Sequence, residues 1–244
     1  ITAELFMRLG KVAETSLSDL PRAAEAYARA AEQGGDGTEV LAALERVHAG
    51  RNDTRSLVDV LERRIAIETE PAAQATLYHR LASLQIDALG DKAQGLATLR
   101  LALERVPDHG PAREAVERLL SDVALFEDAF DTLEGVYRST GRGEDLARLY
   151  ERRVDRADGA RARTRARLEL ARVRENEAND PVSAQRAVEA AVIGEPQDAD
   201  ALAELERLAE KNAAWRDAAD AFSRALEAQE RATPGASGLS ELWA

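Results

Sequence analysis

A glutamate and a histidine at helical spacing are the residues best placed for metal chemistry. Glu45 and His48 form a Glu-x-x-His pair, which puts a carboxylate and an imidazole on one face of a helix. A di-iron carboxylate site needs two such pairs and two further glutamates. The other histidines, His79 and His109, fall on separate segments, and the chain has no cysteine. We therefore predict no metal site and no cofactor.

Sequence motifs of other catalytic chemistries do not occur in the chain. It contains no His-Glu-x-x-His, no phosphate-binding loop and no Gly-x-Ser-x-Gly. The many carboxylates alternate with arginines at spacings of three and four residues, which is typical of solvated helix faces. We predict that the chain is not an enzyme.

An arginine-rich stretch, residues 142–174, differs in charge from the rest of the chain. It holds eleven Arg and six acidic residues. Within it Arg161, Arg163, Arg165 and Arg167 alternate with other residues, and a period of two spreads side chains around a helix. One interpretation is a solvated helical turn partly paired with nearby aspartates. The other is a docking patch for an acidic partner, with Arg167 as its best member.

The overall charge limits the classes of partner. The formal net charge is -12, which argues against a general nucleic-acid or anionic-membrane binder. Apolar runs are only a few residues long, so we predict no membrane insertion. The basic charge is nearly all Arg and the chain is rich in Ala, which favours a GC-rich bacterial source. We favour a cytoplasmic location and leave a periplasmic or envelope-associated one open.

The elements that must position these residues are helices arranged in repeats. The composition is rich in strong helix formers and only 4% aromatic. Shifting the chain by 72 residues overlays residues 5–47 on 77–119 without a gap. Shifting it by 89 overlays 57–137 on 146–226. Register kept over about 80 residues indicates internal duplication.

The repeats predict thirteen helices in three copies of a four-helix unit, with one additional helix. The breakers between apolar segments place the helices near 2–16, 19–33, 37–49, 54–69, 72–88, 91–105, 110–122, 125–139, 143–157, 160–178, 182–194, 198–211 and 214–230. The predicted domains are the first repeat at 1–71, the second with the additional helix near 143–157 at 72–159, the third at 160–231, and a linker and tail at 232–244.

The repeats resemble tetratricopeptide repeats. Small and large residues recur at the positions of that pattern: Phe6, Leu9, Gly10, Ala23, Tyr27 and Ala30 in the first copy, Tyr78, Leu81, Ala82, Gly95, Leu99, Ala102 and Pro107 in the second, and Leu170, Ala171, Ala184, Val188, Ala191 and Pro196 in the third. The resemblance covers about residues 2 to 230. It implies an all-α, right-handed α-solenoid of antiparallel helix hairpins.

The resemblance also implies a concave groove lined by the first helices of the hairpins. Carried onto this chain, the groove residues are Met7, Lys11, Glu14, Arg46, His79, Ser83, Ile86, Arg118, Arg165, Arg172 and Arg207, and Arg161 and Arg167 belong to the arginine-rich stretch. Arg46, Arg118 and Arg207 are equivalent across the copies and suit carboxylates of a peptide. The alternative is that each arginine pairs with a glutamate beside it or on the next helix. Lys11 follows Gly10 where chaperone-tail-binding repeats need Asn, so we do not predict chaperone-tail capture.

We therefore predict a non-catalytic protein-interaction scaffold within a larger chain or assembly, which binds a protein or peptide partner through this groove. Two alternatives stay open. One is binding of nucleic acid or an acidic surface through residues 142–174, and the other is a regulatory domain for an enzyme encoded outside this sequence. Repeat arrays need terminal caps, so an uncapped end also allows self-association.

Overall fold

The computed structural model describes residues 2–34 and 37–232, and within them the chain is all-α. Thirteen α-helices and no strand occur in these ranges. The helices are α1 Thr2–Thr15, α2 Leu20–Gly34, α3 Thr38–Gly50, α4 Thr54–Ile67, α5 Pro71–Ser83, α6 Lys92–Arg105, α7 Gly110–Leu119, α8 Phe126–Ser139, α9 Gly143–Arg156, α10 Gly159–Asn176, α11 Pro181–Gly194, α12 Ala199–Asn212 and α13 Trp215–Ala232. The predicted all-α helical-repeat class is confirmed. Most of the predicted tail, 233–244, lies outside the described residues.

Helix ends differ from the predicted ones where the hydrogen-bond pattern changes. α7 stops at Leu119, because the next three N–H groups bond carbonyls three residues back instead of four. α5 continues into a π-helical segment, Leu84–Ala88, instead of remaining α-helical. The helix predicted near 143–157 is α9, Gly143–Arg156.

The same turn follows the first helix of each copy. Ser18, Gly90 and Asn179 occupy equivalent positions, and all three have positive φ, at 54, 72 and 54°. The N–H of the following residue bonds a carbonyl six residues back at 2.8, 2.8 and 2.7 Å. Such a left-handed residue closes a helix by satisfying its last carbonyls.

An aspartate then caps the second helix of each copy. Asp19, Asp91 and Asp180 each accept a hydrogen bond from the N–H three residues on, at 3.0 Å in all three. An N-terminal cap of this kind stabilises a helix by about 1 kcal/mol. The three equivalent positions therefore share the same turn and the same helix cap.

The structure divides into two compact units, residues 1–132 and 133–244. In the first unit α1, α2 and α3 enclose a core of Ala13, Ala23, Tyr27 and Leu41, each at most 2% exposed. The Tyr27 ring occupies the space that a Cβ on Gly10 would need. Small residues thus let α1 and α2 approach closely while the large ring fills the space between them. The predicted division into three repeats stays a prediction.

α4 and α5 pack through a leucine-rich cluster in the same unit, to which α4 contributes Leu57 and Leu61 and α5 contributes Leu77 and Leu81. Beside it a buried carboxylate, Glu45 of α3, is 3% exposed and forms ion pairs with Arg64 of α4 and Arg80 of α5. Three successive helices are therefore joined by one charged cluster.

The second unit also combines an apolar core with a nearly buried charge. Val188, Leu205 and Leu208 are fully buried between α11 and α12. Arg174 of α10 is 9% exposed and bonds two glutamates of α9, Glu144 at 2.9 Å and Glu151 at 2.6 Å. α9 is thus held to α10 by a nearly buried guanidinium.

Candidate binding surface

The first unit has two open pockets that are lined by predicted groove residues. One is about 650 Å³ and lies between α1, α2 and α3, and the other is about 310 Å³ and lies between α5, α6 and α7. Met7, Lys11, Glu14 and Arg46 line the first pocket. Ser83, Ile86 and Arg118 line the second.

A carboxylate neutralises the arginine of the first pocket. Arg46 donates to both oxygens of Glu14, at 3.1 and 3.0 Å, and the Tyr27 hydroxyl donates to the same carboxylate at 2.8 Å. The Arg46 hydrogen bond holds the pKa of Glu14 below its usual value. Burial, together with the neighbouring carboxylate, raises the pKa of Tyr27 to about 12. Arg46 is therefore engaged within the unit.

The equivalent arginine of the second unit has the same kind of partner. Arg207 of α12 forms an ion pair with Glu175 of α10, whose side chain is only 7% exposed. Glu204 lies 2.8 Å from Arg207, and Lys211 lies 2.6 Å from Glu175. The glutamates Glu204 and Glu175 raise the pKa of Arg207, which keeps it charged.

Arg118, the third equivalent arginine, stands in a different environment. Glu14 and Glu175 correspond to Ile86 under the 72- and 89-residue offsets, so the second copy has no carboxylate at this position. No carboxylate among the described residues lies within ion-pair distance of the Arg118 guanidinium, which is exposed. Across the pocket Lys92 is paired with Asp122 at 2.8 Å.

Two histidines lie close to each other, and one of them, His79, is near Arg118. The rings of His79 and His109 have centroids 5.9 Å apart, and the Nδ1 atom of His109 accepts the N–H of Ala112 to cap α7. Burial lowers the pKa of both imidazoles, and the nearby His109 and Arg118 lower that of His79 further. The lowered pKa values favour the neutral form of both imidazoles at pH 7.

On α10, some arginines of the arginine-rich stretch are exposed, and others bond to neighbouring helices. Arg161, Arg165 and Arg172 are exposed and fall within roughly 40° of one another around the axis at 3.6 residues per turn. Arg167 is half-buried and donates to the carbonyl of Ala190 at 2.7 Å. Burial lowers the pKa of Arg167. The exposed stripe thus consists of Arg161, Arg165 and Arg172, whereas Arg167 joins α10 to α11.

The Glu45–His48 pair is used for structure. Glu45 is paired with two arginines, and Nδ1 of His48 lies 3.3 Å from Asp53. Across residues 2–34 and 37–232, no group of three potential ligands could hold a metal ion. None of the helices described there combines the length and apolar composition needed to cross a membrane.

The carboxylate partners of Arg46 and Arg207 were not predicted individually. The sequence suggested a glutamate beside each arginine or one on the next helix, whereas Glu14 and Glu175 lie 32 residues earlier. A signal was available: both glutamates stand at the same distance before equivalent arginines. A search for glutamate–arginine pairs that recur at equivalent positions of the chain would have identified Glu14 and Glu175.

Comparison with known proteins finds similarity among solved structures. No family model and no curated protein matches the chain. The MamA protein is 20% identical, with 82% of this chain and 94% of that chain covered and a TM-score of 0.34. PilW, a type IV pilus biogenesis factor, is 13% identical (99% and 98% covered, TM-score 0.33). A thermophilic TPR protein of Thermus thermophilus is 17% identical (84% and 98% covered, TM-score 0.29).

Proposed function

We propose that the chain is a non-catalytic protein-interaction scaffold that binds a protein or peptide partner along the surface bearing the two pockets of the first unit. The observation that carries the proposal is the convergence of predicted groove residues on these pockets. Lys11 and Arg118 are exposed cations there, and Met7 and Ile86 supply apolar surface. Cationic and apolar groups side by side suit an acidic, amphipathic polypeptide.

Rigid helix packing holds this surface in one shape before a partner binds. The lining residues stand on helices fixed by buried alanines and leucines and by capped turns, so little backbone freedom is lost when a partner binds. Glu14 additionally locks Arg46 and Tyr27 in place through three hydrogen bonds. A preformed surface of this kind favours binding through complementarity without a large conformational change.

The exposed apolar face of α1 supports a role within a larger chain or assembly. Leu5 and Leu9 are 60% and 39% exposed, while their equivalents Leu77 and Leu81 are 7% and 4% exposed because α4 covers them. An amphipathic helix like α4, from a neighbouring segment or chain, fits this face. A molar mass that rises with concentration in light scattering would support self-association through α1, and a constant monomer mass would argue against it.

Site-specific photo-crosslinking tests the scaffold proposal. A benzophenone amino acid is placed at Lys11 in the first pocket, at Ser121 in the second, and at Glu62 and Glu104 as exposed control positions. We expect both pocket positions to crosslink the same polypeptide in cells and the controls not to. Equal crosslinking at all four positions, or none at the pockets, would remove the proposal.

A second candidate function is electrostatic binding through the stripe on α10. It is favoured by the exposure of Arg161, Arg165 and Arg172 on one face, with no ion-pair partner in the described part of the chain. Three aligned guanidinium groups suit the phosphates of nucleic acid or an acidic protein surface. Retention on DNA or RNA columns that decreases with salt would support the nucleic-acid form. Absence of retention at low salt would exclude it.

A further inference from the structure

The three equivalent arginines form an internal comparison that points to one unfilled site. In the first and third copies, a glutamate on the preceding hairpin neutralises the arginine through a two-pronged contact, Glu14 with Arg46 and Glu175 with Arg207. The two pairs come from equivalent positions. The fold therefore places a carboxylate in front of this guanidinium as its ordinary arrangement.

The second copy keeps the arginine and lacks the carboxylate. Ile86 replaces the glutamate, and its side chain packs where a Cβ on Gly95 would otherwise lie. Leu99 stands where Tyr27 stands in the first copy, so the hydroxyl that donates to Glu14 is missing as well. The position beside Arg118 is apolar, and the space that the carboxylate would fill is an open pocket of about 310 Å³.

The other charged groups of the pocket leave Arg118 unneutralised. Lys92 and Asp122 form their own ion pair at 2.8 Å. Asp87 also lines the pocket, outside ion-pair distance of Arg118 within the described residues. Burial lowers the pKa of His79, the nearby His109 and Arg118 lower it further, and Glu114 raises it. Arg118 is thus a guanidinium whose planar fork of N–H donors is available to a ligand.

We infer that the Arg118 pocket binds a glutamate or aspartate side chain of the partner polypeptide, in the place that Glu14 and Glu175 occupy in the other copies. The inference rests on the proposed scaffold function and adds the chemistry of one contact. Arg118 binds the carboxylate through paired N–H donors, as Arg46 binds Glu14. Ile86 contacts an apolar residue next to that acidic side chain, so the preferred occupant is an acidic residue beside an apolar one.

Two substitutions at one position separate charge from packing. Ile86→Glu supplies an internal carboxylate, as in the first and third copies, while Ile86→Gln makes nearly the same change of shape without the charge. The probe is the peptide acetyl-Ala-Glu-Leu-Glu-Ala-amide, and its control replaces both glutamates with glutamine. The Nε–H resonances of Arg118, Arg46 and Arg207, followed by NMR, report on each guanidinium separately.

We expect the acidic peptide to shift the Arg118 resonance and to leave those of Arg46 and Arg207 in place. Ile86→Glu should weaken peptide binding about tenfold, the effect of losing one charge-assisted hydrogen bond, and Ile86→Gln should weaken it much less. An unshifted Arg118 resonance, equal shifts at all three arginines, or equal binding by the two variants would overturn the inference. If the photo-crosslinks persist in those cases, the scaffold function stands and only the carboxylate contact is wrong.

Discussion

The buried carboxylate of Glu45 allows a demanding test of how the first unit is stabilised. Its side chain is 4% exposed, and those of its partners Arg64 and Arg80 are 22% and 50% exposed. Replacing both arginines with methionine leaves a buried carboxylate without a counter-charge. Breaking a buried pair in this way costs about 3–5 kcal/mol. Because Arg80 is half exposed and screened by water, we expect the lower end, about 3 kcal/mol.

The decisive variant adds Glu45→Gln to the double substitution Arg64→Met and Arg80→Met. Glutamine carries no charge, so the triple variant should recover about 1–2 kcal/mol of the loss. Urea unfolding followed by circular dichroism measures this as a midpoint that falls by about 1.5 M in the double variant and partly returns in the triple. Hydrogen exchange in α3, α4 and α5 localises the effect. A triple variant no more stable than the double would refute the reasoning.

Three further predictions concern single positions. Asp91→Ala removes the cap of α6 and should lower the free energy of unfolding by about 1 kcal/mol in urea. Gly143→Ala should lower the free energy of unfolding by about 1–3 kcal/mol, because the added Cβ would overlap the backbone carbonyl of Glu177. As its control, Gly135→Ala has open space around it inside α8 and should raise the free energy of unfolding by about 0.5–1 kcal/mol. Because the pKa of His79 is lowered in the folded protein, the unfolded chain takes up a proton at this residue more readily. The contribution of His79 to stability is therefore complete above the ordinary histidine pKa of 6.5 and is lost as the pH falls through and below that value. The urea midpoint should decrease between about pH 7.5 and 5.5, and it should decrease less in His79→Gln.

The helices were predictable because their signals are local. Asp91 and Asp180 stand at helix starts, and Gly90 marks the left-handed residue before one of them. The periodicity of apolar residues and the capping residues together placed all thirteen described helices within a few residues of their positions in the structure. The π-helical segment that begins at Leu84 was not predictable, because its hydrogen bonds depend on how the helix end meets the next turn.

The candidate surface was only partly predictable for a similar reason. Arg46, Arg118 and Arg207 could be found from their equivalence, and Lys11 from the resemblance. Whether each of these arginines has a carboxylate partner depends on residues far along the chain, since an ion pair requires two helices to be in contact. The replacement of a glutamate by Ile86 is visible in the sequence, but its meaning appears only once the Glu14–Arg46 pair is known.

Affinity for the polypeptide that crosslinks at Lys11 tests the central claim of a partner-binding surface most directly. The variant Lys11→Glu with Arg118→Glu reverses two exposed cations of the pockets. The control Arg29→Glu with Arg105→Glu makes the same change of charge on α2 and α6. Titration calorimetry should give a Kd raised at least about tenfold by the first pair and nearly unchanged by the second. An unchanged Kd in the first variant, or equal weakening in both, would contradict the account.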